Sequence, residues 1–297
     1  MDLMAETSTH SLWQRWCQQI GVLTKARLTS MVLITTVAGF YLGSRGATNY
    51  WQLLCTLVGT GMVASAASAL NQLMEREWDS KMKRTAERPL PTGRLHPDEV
   101  LIFAFVAAVG GMIFLTLAVN FLAGLVAAVT LASYLFIYTP LKRYSTLNTV
   151  VGAIPGALPP VLGWVAANSK FTVESLVLFA IVFFWQMPHF LAIAWRCRHD
   201  YADAGFKMLP ITDPSGASSG RQAVLYASAL LPISLWPTFL HLAGAVYFYG
   251  ALLLGMMFLW TAWKFLLCRD DITSRRLFLA SIIYLPVLLL LMTLDMT

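Results

Sequence analysis

The chain has 297 residues, of which 58% are hydrophobic and 12% charged, and its formal net charge is +6. A soluble domain contains about 45–50% apolar residues, and the mean hydropathy here is +0.65. This composition excludes a soluble globular protein. The four cysteines are scattered without a CxxC pair, which argues against a disulfide framework and against a structural zinc site.

Nine apolar blocks follow one another along the chain. Blocks of about 20 residues match a ~30 Å hydrocarbon core, and a backbone in lipid satisfies its polar groups only in helices or closed barrels. The blocks lack the two-residue alternation of barrel strands, so we expect an all-α integral membrane protein with nine transmembrane helices. They cover about 28–43, 51–70, 100–119, 121–138, 148–166, 173–195, 223–241, 244–264 and 277–294.

The Lys and Arg residues indicate the orientation. All but two of the 21 lie in the N-terminal segment or in alternate loops, and the opposite side holds only Arg45 and Lys170. The positive-inside rule then places the N-terminal segment, about residues 1–27, in the cytoplasm and the C-terminus outside. One basic membrane face beside anionic lipid explains the net charge, so we expect no nucleic-acid partner. The long polar loops 71–99 and 196–222 are both cytoplasmic.

The first of these loops opens with NQLMEREWDSKMKRTAERPL, which continues the second span. Asn71, Glu75 and Asp79 are spaced i, i+4, i+8, so on a helix they share one face. Two carboxylates and an amide oxygen form the hard-oxygen site that Mg²⁺ prefers, and charges at a membrane edge are usually functional. The alternative is a solvated juxtamembrane loop whose acids and bases pair with each other.

Basic residues and a second acidic cluster lie on the same side of the membrane. The arginine guanidinium can donate two hydrogen bonds to phosphate oxygens. Acidic and basic residues together at the end of one helix therefore indicate binding of a metal and a diphosphate. The two loop clusters could face each other across a cavity that opens at the inner leaflet. The relevant residues are Arg84 and Arg88 after span two, Tyr138, Lys142 and Arg143 at the end of span four, and His199, Asp200 and Asp203 after span six.

These motifs resemble the UbiA superfamily of intramembrane prenyltransferases. The family's N-x-x-x-D-x-x-x-D motif matches 71–79, with Glu75 in the middle acidic position, and its Y-x-x-x-K motif matches 138–142. Its D-x-x-x-D motif begins at Asp200 but has Ala at the last position, with the partner acid displaced by one. Within the superfamily, DSKMKRTAERPLPTG, YTPLKRYSTLNTVVGAIPGALPPVLGW and WQMPHFLAIAWRCRHDYADAGFKMLP look like the protoheme farnesyltransferase branch.

The resemblance implies one transmembrane prenyltransferase domain over residues 1–297, a UbiA-type helical bundle. It implies transfer of the farnesyl group of farnesyl diphosphate to the 2-vinyl group of heme B, with addition of water, giving heme O and diphosphate. Mg²⁺ is the expected cofactor and heme B a substrate. The implied metal residues are Asn71, Glu75, Asp79 and Asp200, the last for a second Mg²⁺ or a basic partner; the diphosphate candidates are Arg84, Arg88, Lys142 and Arg143, and Tyr138 is expected to donate to the diphosphate or to face the allylic cation.

Two histidines are candidate heme contacts. His189 lies inside span six after Pro188, and His199 lies beside Asp200. Membrane burial favours a functional role for His189, as axial ligand or propionate partner, whereas a lone helical histidine is also commonly a packed, hydrogen-bonded residue. His199 is a candidate phosphate or propionate contact.

Two other functions remain open at this point. One is a UbiA-type transfer to an aromatic quinone precursor, and the other is secondary transport, which usually places ionisable residues near the bilayer midplane. The short termini favour a bacterial inner membrane, with the C-terminus periplasmic. A partner that receives heme O, such as a heme A synthase or an oxidase in assembly, is also left open.

Overall fold

The computed structural model describes residues 18–297, and its regular structure in this range is helical, with no strand. The expected cytoplasmic segment, about residues 1–27, therefore lies largely outside the described residues. We label the nine long helices of residues 18–297 α1 to α9. Their bounds are Ala26–Ser44 (α1), Tyr50–Asp79 (α2), Pro97–Ala118 (α3), Phe121–Tyr144 (α4), Asn148–Asn168 (α5), Val173–Arg196 (α6), Ala217–Phe239 (α7), Ala245–Cys268 (α8) and Asp271–Leu294 (α9).

Each of the nine predicted apolar blocks overlaps one of these helices. Eight of them combine the length and the hydropathy of a membrane span. The other, α7, has 23 residues but mixes Ser, Gln and Arg with its apolar residues, which lowers its hydropathy. It packs between α6 and α8 in the same bundle. The prediction of an all-helical, multi-span membrane protein is confirmed.

The long helices pack in two consecutive groups. Helices α2 to α5 each pack on the next one along the chain, and so do α6 to α9, with α6 also packing on α9. The contact between α5 and α6 joins the groups, and α1 packs on α5 and α2. Each group thus begins with a helix, α2 or α6, that leads directly into one of the two long charged loops.

Helices α1 and α5 approach each other closely because both present glycine at the contact. A Cβ at Gly39 would overlap the carbonyl oxygen of Pro160, and one at Gly163 would overlap the carbonyl oxygen of Thr36. Small residues allow this approach between membrane helices, where packing replaces the hydrophobic effect as the driving force. Three prolines lie inside α5, and each removes one backbone donor from the helix.

Helix α4 contains a π-helical segment, Ser133–Tyr138. At its end the Thr139 N–H donates to the carbonyl of Tyr134, five residues earlier, whereas an α-helix links residues four apart. Segments of this kind occur frequently at functional sites. The wider turn rotates the last turns of α4 about the helix axis, which changes the direction in which Lys142 faces relative to α2.

The two long loops pack against each other at the C-terminal ends of α2 and α6. Met82 from the first loop is buried in one apolar cluster with Ala204, Phe206 and Met208 from the second, and Trp78 of α2 packs against this cluster. The backbone N–H of Lys207 donates to the carbonyl of Lys142 at 2.8 Å, which ties the second loop to the end of α4 as well. The ends of α2, α4 and α6 therefore share one surface.

Candidate active site

Three oxygen-bearing side chains are buried at the C-terminal end of α2. Asn71, Glu75 and Asp79 are 1%, 6% and 1% exposed. Helix α2 runs without interruption to Asp79, so the spacing of four residues puts all three on one side. We call this set the oxygen face. Burial of two carboxylates is costly unless they are paired or bound to a metal, so the surroundings must supply positive charge.

Each residue of the oxygen face contacts a cation from a different segment of the chain. One cation precedes α1, one lies in the loop after α2, and one belongs to α4. Three distant parts of the sequence therefore converge on residues 71–79 of α2. The three contacts are Lys25 Nζ to Asn71 Oδ1 at 2.8 Å, Lys142 Nζ to Glu75 Oε1 at 2.7 Å, and Arg88 Nη1 to Asp79 Oδ2 at 2.6 Å.

The oxygen face fits a hard divalent cation. Asp79 Oδ1 is buried and accepts no hydrogen bond within residues 18–297. In that range no group of three or more His, Cys, Asp and Glu side chains lies close enough together to hold a metal, so the donor set is two carboxylates and the Asn71 amide oxygen. Mg²⁺ commonly takes one or two carboxylates and completes its shell with water and substrate phosphates. A partial oxygen set with cations beside it suits that mode.

Tyr138 and Lys142 stand together at the end of α4. The Lys142 Nζ lies 4.6 Å from the centroid of the Tyr138 ring, within the range of a cation–π contact, and the Tyr134 ring lies 5.3 Å from the Tyr138 ring. Gly152 of α5 leaves the space for this arrangement, because a Cβ there would lie 2.5 Å from the Tyr138 ring. The Y-x-x-x-K motif thus forms one wall beside Glu75.

The second loop approaches this wall through Tyr201. The short helix Arg198–Asp203 carries Asp200, which is half-buried, and His199 and Asp203, which are exposed. Burial raises the pKa of Tyr201, while the nearby Arg84 opposes that shift. Tyr201 belongs to the apolar cluster that joins the two loops. The structure therefore places the Asp200 segment on the same surface as the oxygen face.

The four predicted diphosphate residues divide into two pairs. Arg88 and Lys142 bind the carboxylates of the oxygen face, as described above. Arg84 and Arg143 lie on aromatic rings instead: the Arg84 guanidinium is 5.9 Å from the Tyr201 centroid, and the Arg143 guanidinium is 4.2 Å from the Trp78 centroid. Arg88 and Lys142 are thus the central cations, and the other two border the site.

His189 lies between two aromatic rings at the contact of α6 and α9. Its ring stacks on Trp185 at 5.1 Å and on Phe278 at 5.2 Å between centroids. Its Nδ1 is 2.7 Å from Ser281 Oγ, and the Ser281 hydroxyl donates to the carbonyl of Phe278 at 2.6 Å. Because that hydroxyl has a single proton, His189 Nδ1 is the donor to Ser281, and the lone pair resides on Nε2.

A sequence model described as the UbiA prenyltransferase family matches residues 32–285. The chain belongs to this family. It is therefore an intramembrane prenyltransferase, and the resemblance seen in the motifs is confirmed.

Relatives with curated names agree along almost the whole chain. Protoheme IX farnesyltransferase from Solibacter usitatus is 48% identical over 282 residues, which cover 92% of this chain and 97% of that protein. The protein of the same name from Koribacter versatilis is 42% identical over 285 residues, which cover 93% and 92%. A mitochondrial protoheme IX farnesyltransferase from Arabidopsis thaliana is 40% identical over 266 residues, covering 89% of this chain and 62% of that protein.

Solved structures share the UbiA-family fold. A structure of digeranylgeranylglyceryl phosphate synthase superposes with a TM-score of 0.80 at 17% identity, covering 94% of this chain and 98% of that one. A UbiA homolog from Archaeoglobus fulgidus bound to GPP and Mg²⁺ superposes with a TM-score of 0.66 at 15% identity, covering 93% and 99%. At these identities the comparison establishes the bundle and its topology.

Two residues of this UbiA-family site were missing from the sequence analysis. Lys25 was counted only as a basic charge before the first span, yet it contacts Asn71. Burial, together with the nearby charges of Arg88 and Lys142, lowers the pKa of Lys25 to about 7. Thr139, inside the Y-x-x-x-K motif, accepts a hydrogen bond from the Asn71 amide at 3.3 Å. The available signal for Lys25 was its position at the start of α1, which carries no charge between Arg27 and Arg45.

Proposed function

We propose that the chain transfers the farnesyl group of farnesyl diphosphate to the 2-vinyl group of heme B, with addition of water, to give heme O and diphosphate. The observation that carries the proposal is the oxygen face with its three cations, Lys25, Arg88 and Lys142, at the mouth of an apolar bundle. Relatives up to 48% identical bear the name protoheme IX farnesyltransferase, which supports heme as the acceptor.

Asn71, Glu75 and Asp79 would hold Mg²⁺, and Asp200 would serve a second Mg²⁺ or a basic partner. A metal held by these residues would supply positive charge for the leaving diphosphate. Arg88 and Lys142 bind the same leaving group, since they are the cations that contact the carboxylates of the oxygen face. Arg84 and Arg143 hold the outer phosphate oxygens. Cations placed where charge develops stabilise the transition state without reorganisation.

Carbon–carbon bond formation then depends on keeping water away from the allylic cation. The C–O bond of the prenyl diphosphate breaks, and the outer vinyl carbon of heme B bonds to the farnesyl carbon. Water adds at the inner vinyl carbon and a proton is lost. Tyr138, next to Lys142, donates to the diphosphate or faces the cation. The apolar interior of the bundle shields this cation from early hydrolysis.

Heme B would contact His189 and His199. His189 is the candidate for the iron, because its Nδ1 donates to Ser281 and its Nε2 lone pair is free for a metal. Outer hydrogen bonds of this kind fix the tautomer of metal-binding histidines. His199 is exposed beside Asp200 and suits a propionate or phosphate contact.

We further propose that residues 1–297 act as one domain in a bacterial inner membrane, with the oxygen face at the cytoplasmic side and the C-terminus in the periplasm. The distribution of Lys and Arg supports this orientation. A heme A synthase or an oxidase in assembly would receive the product.

Heme extraction from cells tests the proposal. Cells without a heme O synthase of their own receive the chain or its Asp79→Asn variant, and their extracted hemes are analysed by mass spectrometry. Heme O with the unaltered chain, and heme B alone with the variant, is the expected result. A prenylated aromatic acid instead of heme O, or no covalent product at all, would contradict the proposal.

A further inference from the structure

A chain of hydrogen bonds runs from Lys25 into the π-helical segment of α4. Lys25 Nζ donates to Asn71 Oδ1 at 2.8 Å, and Asn71 Nδ2 donates to Thr139 Oγ1 at 3.3 Å. Thr139 Oγ1 donates to the carbonyl oxygen of Tyr134 at 2.9 Å. Asn71 and Thr139 are buried, 1% and 4% exposed. These hydrogen bonds link the residue before α1 to α2 and α4.

The hydrogen bonds run in one direction, from Lys25 towards Tyr134. Lys25 Nζ is the donor to Asn71, so the atom of Asn71 that faces Lys25 is its oxygen. The amide nitrogen of Asn71 therefore faces Thr139, whose oxygen accepts. The single hydroxyl proton of Thr139 is left for Tyr134. The orientation of the Asn71 amide, which coordinates alone often leave ambiguous, is thus determined by its two neighbours.

The π-helical segment provides the acceptor that completes the chain. The Tyr134 carbonyl receives the Thr139 backbone N–H and also the Thr139 hydroxyl. Both donors belong to the residue five positions later, which an α-helical turn would not bring to this carbonyl. Three residues beyond Thr139, Lys142 contacts Glu75. Both contacts between α2 and α4, Asn71 with Thr139 and Glu75 with Lys142, therefore depend on the rotation that the π-helical segment introduces into α4.

We propose that Thr139 is a positioning residue for the metal site: its hydroxyl holds the Asn71 amide so that the oxygen joins Glu75 and Asp79 on the oxygen face. The inference rests on the proposed function for the existence of the metal. Thr139 itself supplies no ligand. It prevents the amide from turning its NH₂ group, which repels a cation, towards the metal.

Removal of the Thr139 hydroxyl should weaken divalent-cation binding, and this effect can be measured in the absence of substrate. In Thr139→Val the side chain keeps its shape, but the Asn71 NH₂ loses its acceptor. Partners that orient metal ligands typically contribute about 10–100-fold in metal affinity, and we expect a loss in that range. Thr139→Ser keeps the hydroxyl and should bind the cation as the unaltered chain does.

The test is the binding of Mn²⁺, as a stand-in for Mg²⁺, to the full chain in lipid nanodiscs. Electron paramagnetic resonance reports free Mn²⁺ directly, with no substrate present. Thr130→Val is the matched control, because Thr130 lies in the same helix and its hydroxyl also bonds a backbone carbonyl, that of Val126, at 2.7 Å. This control should leave Mn²⁺ affinity unchanged.

A double variant separates a role through Asn71 from a general loss of packing. If Thr139 acts through the Asn71 amide, Asn71→Ala combined with Thr139→Val should bind Mn²⁺ no more weakly than Asn71→Ala alone, since coupled residues are not additive. A further loss in the double variant would overturn the inference. Equal Mn²⁺ affinity of Thr139→Val and the unaltered chain would overturn it too, as would a Thr139→Ser variant that binds as weakly as Thr139→Val.

The outcome also distinguishes this inference from the proposed function. Heme O formation by the chain, together with unchanged Mn²⁺ affinity in Thr139→Val, overturns only the role of Thr139. A failure of the unaltered chain to bind Mn²⁺ overturns the metal assignment and the inference together. Absence of heme O with Mn²⁺ binding intact overturns the acceptor assignment and leaves the role of Thr139 supported by the binding data.

Discussion

The ion pair between Lys142 and Glu75 gives the sharpest separation of stability from catalysis. Lys142 Nζ lies 2.7 Å from Glu75 Oε1, and the side chains are 11% and 8% exposed. Lys142→Met keeps the apolar stem of the side chain and removes the charge. Glu75 would then be a buried carboxylate without its closest cation.

The expected loss of stability follows from this burial. Removal of one partner of a buried ion pair typically costs about 3–5 kcal/mol. Lys25 lies close to the Glu75 and Asp79 carboxylates and Arg88 contacts Asp79, so we expect the lower end, about 3 kcal/mol. Removal of both charges is often nearly neutral. Glu75→Gln combined with Lys142→Met should therefore recover most of the unfolding free energy that Lys142→Met alone loses.

Turnover should not recover with stability. A charge that stabilises the leaving diphosphate contributes about 10²–10³-fold in kcat, and the double variant still lacks it. The assay pairs reversible unfolding of the chain in detergent micelles, followed by circular dichroism, with farnesyl transfer from labelled farnesyl diphosphate. Recovery of both stability and turnover in the double variant would refute a role of Lys142 on the diphosphate. An unchanged unfolding free energy in Lys142→Met would refute the buried pair.

Three further predictions concern the metal, the heme and the tyrosine wall. The Asp79→Asn chain should still insert into the membrane but should show no turnover. Chelation of divalent metal by EDTA should likewise abolish turnover by the unaltered chain. His189→Ala should shift the absorption spectrum of bound heme, and added imidazole should restore it, because the open position accepts a free ligand. Gly152→Ala should lower kcat by displacing the Tyr138 ring, which a Cβ at Gly152 would approach to 2.5 Å.

Each of these predictions has a matched control or a contradicting outcome. Activity that survives EDTA or Asp79→Asn would exclude metal-dependent ionisation at the oxygen face. His241→Ala alters an exposed histidine in the turn between α7 and α8 and should leave the heme spectrum unchanged; an unchanged spectrum in His189→Ala would exclude ligation by His189. Gly21→Ala, where a Cβ meets nothing within 4 Å among the described residues, should retain full kcat, and full kcat in Gly152→Ala would contradict the role of that glycine.

The helical architecture was predictable because the bilayer restricts the choices. Long apolar blocks in lipid must be helices, and each of the nine blocks overlaps one. The predicted block 51–70 covered only the apolar part of α2, but the helix was expected to continue through NQLMEREWD, and α2 does end at Asp79. The spacing of Asn71, Glu75 and Asp79 predicted their shared face, because i+4 geometry is local.

Contacts between distant segments were not predictable in the same way. Lys25 and Asn71 are 46 residues apart, and Glu75 and Lys142 are 67 apart; spacing within one helix gives no information about such pairs. The π-helical segment of α4 was also missed, because it depends on one extra residue per turn and leaves no distinct composition. For the same reason the direction in which Lys142 faces could not be derived from the sequence.

The most direct test of the account uses the purified chain in nanodiscs with heme B, Mg²⁺, deuterated farnesyl diphosphate and water enriched in oxygen-18. We expect one new heme species whose mass carries both the deuterated farnesyl group and a single oxygen-18 atom, and we expect this species to be absent with the Asp79→Asn chain. Recovery of unmodified heme B with labelled farnesol, or of a product that lacks oxygen-18, would contradict it.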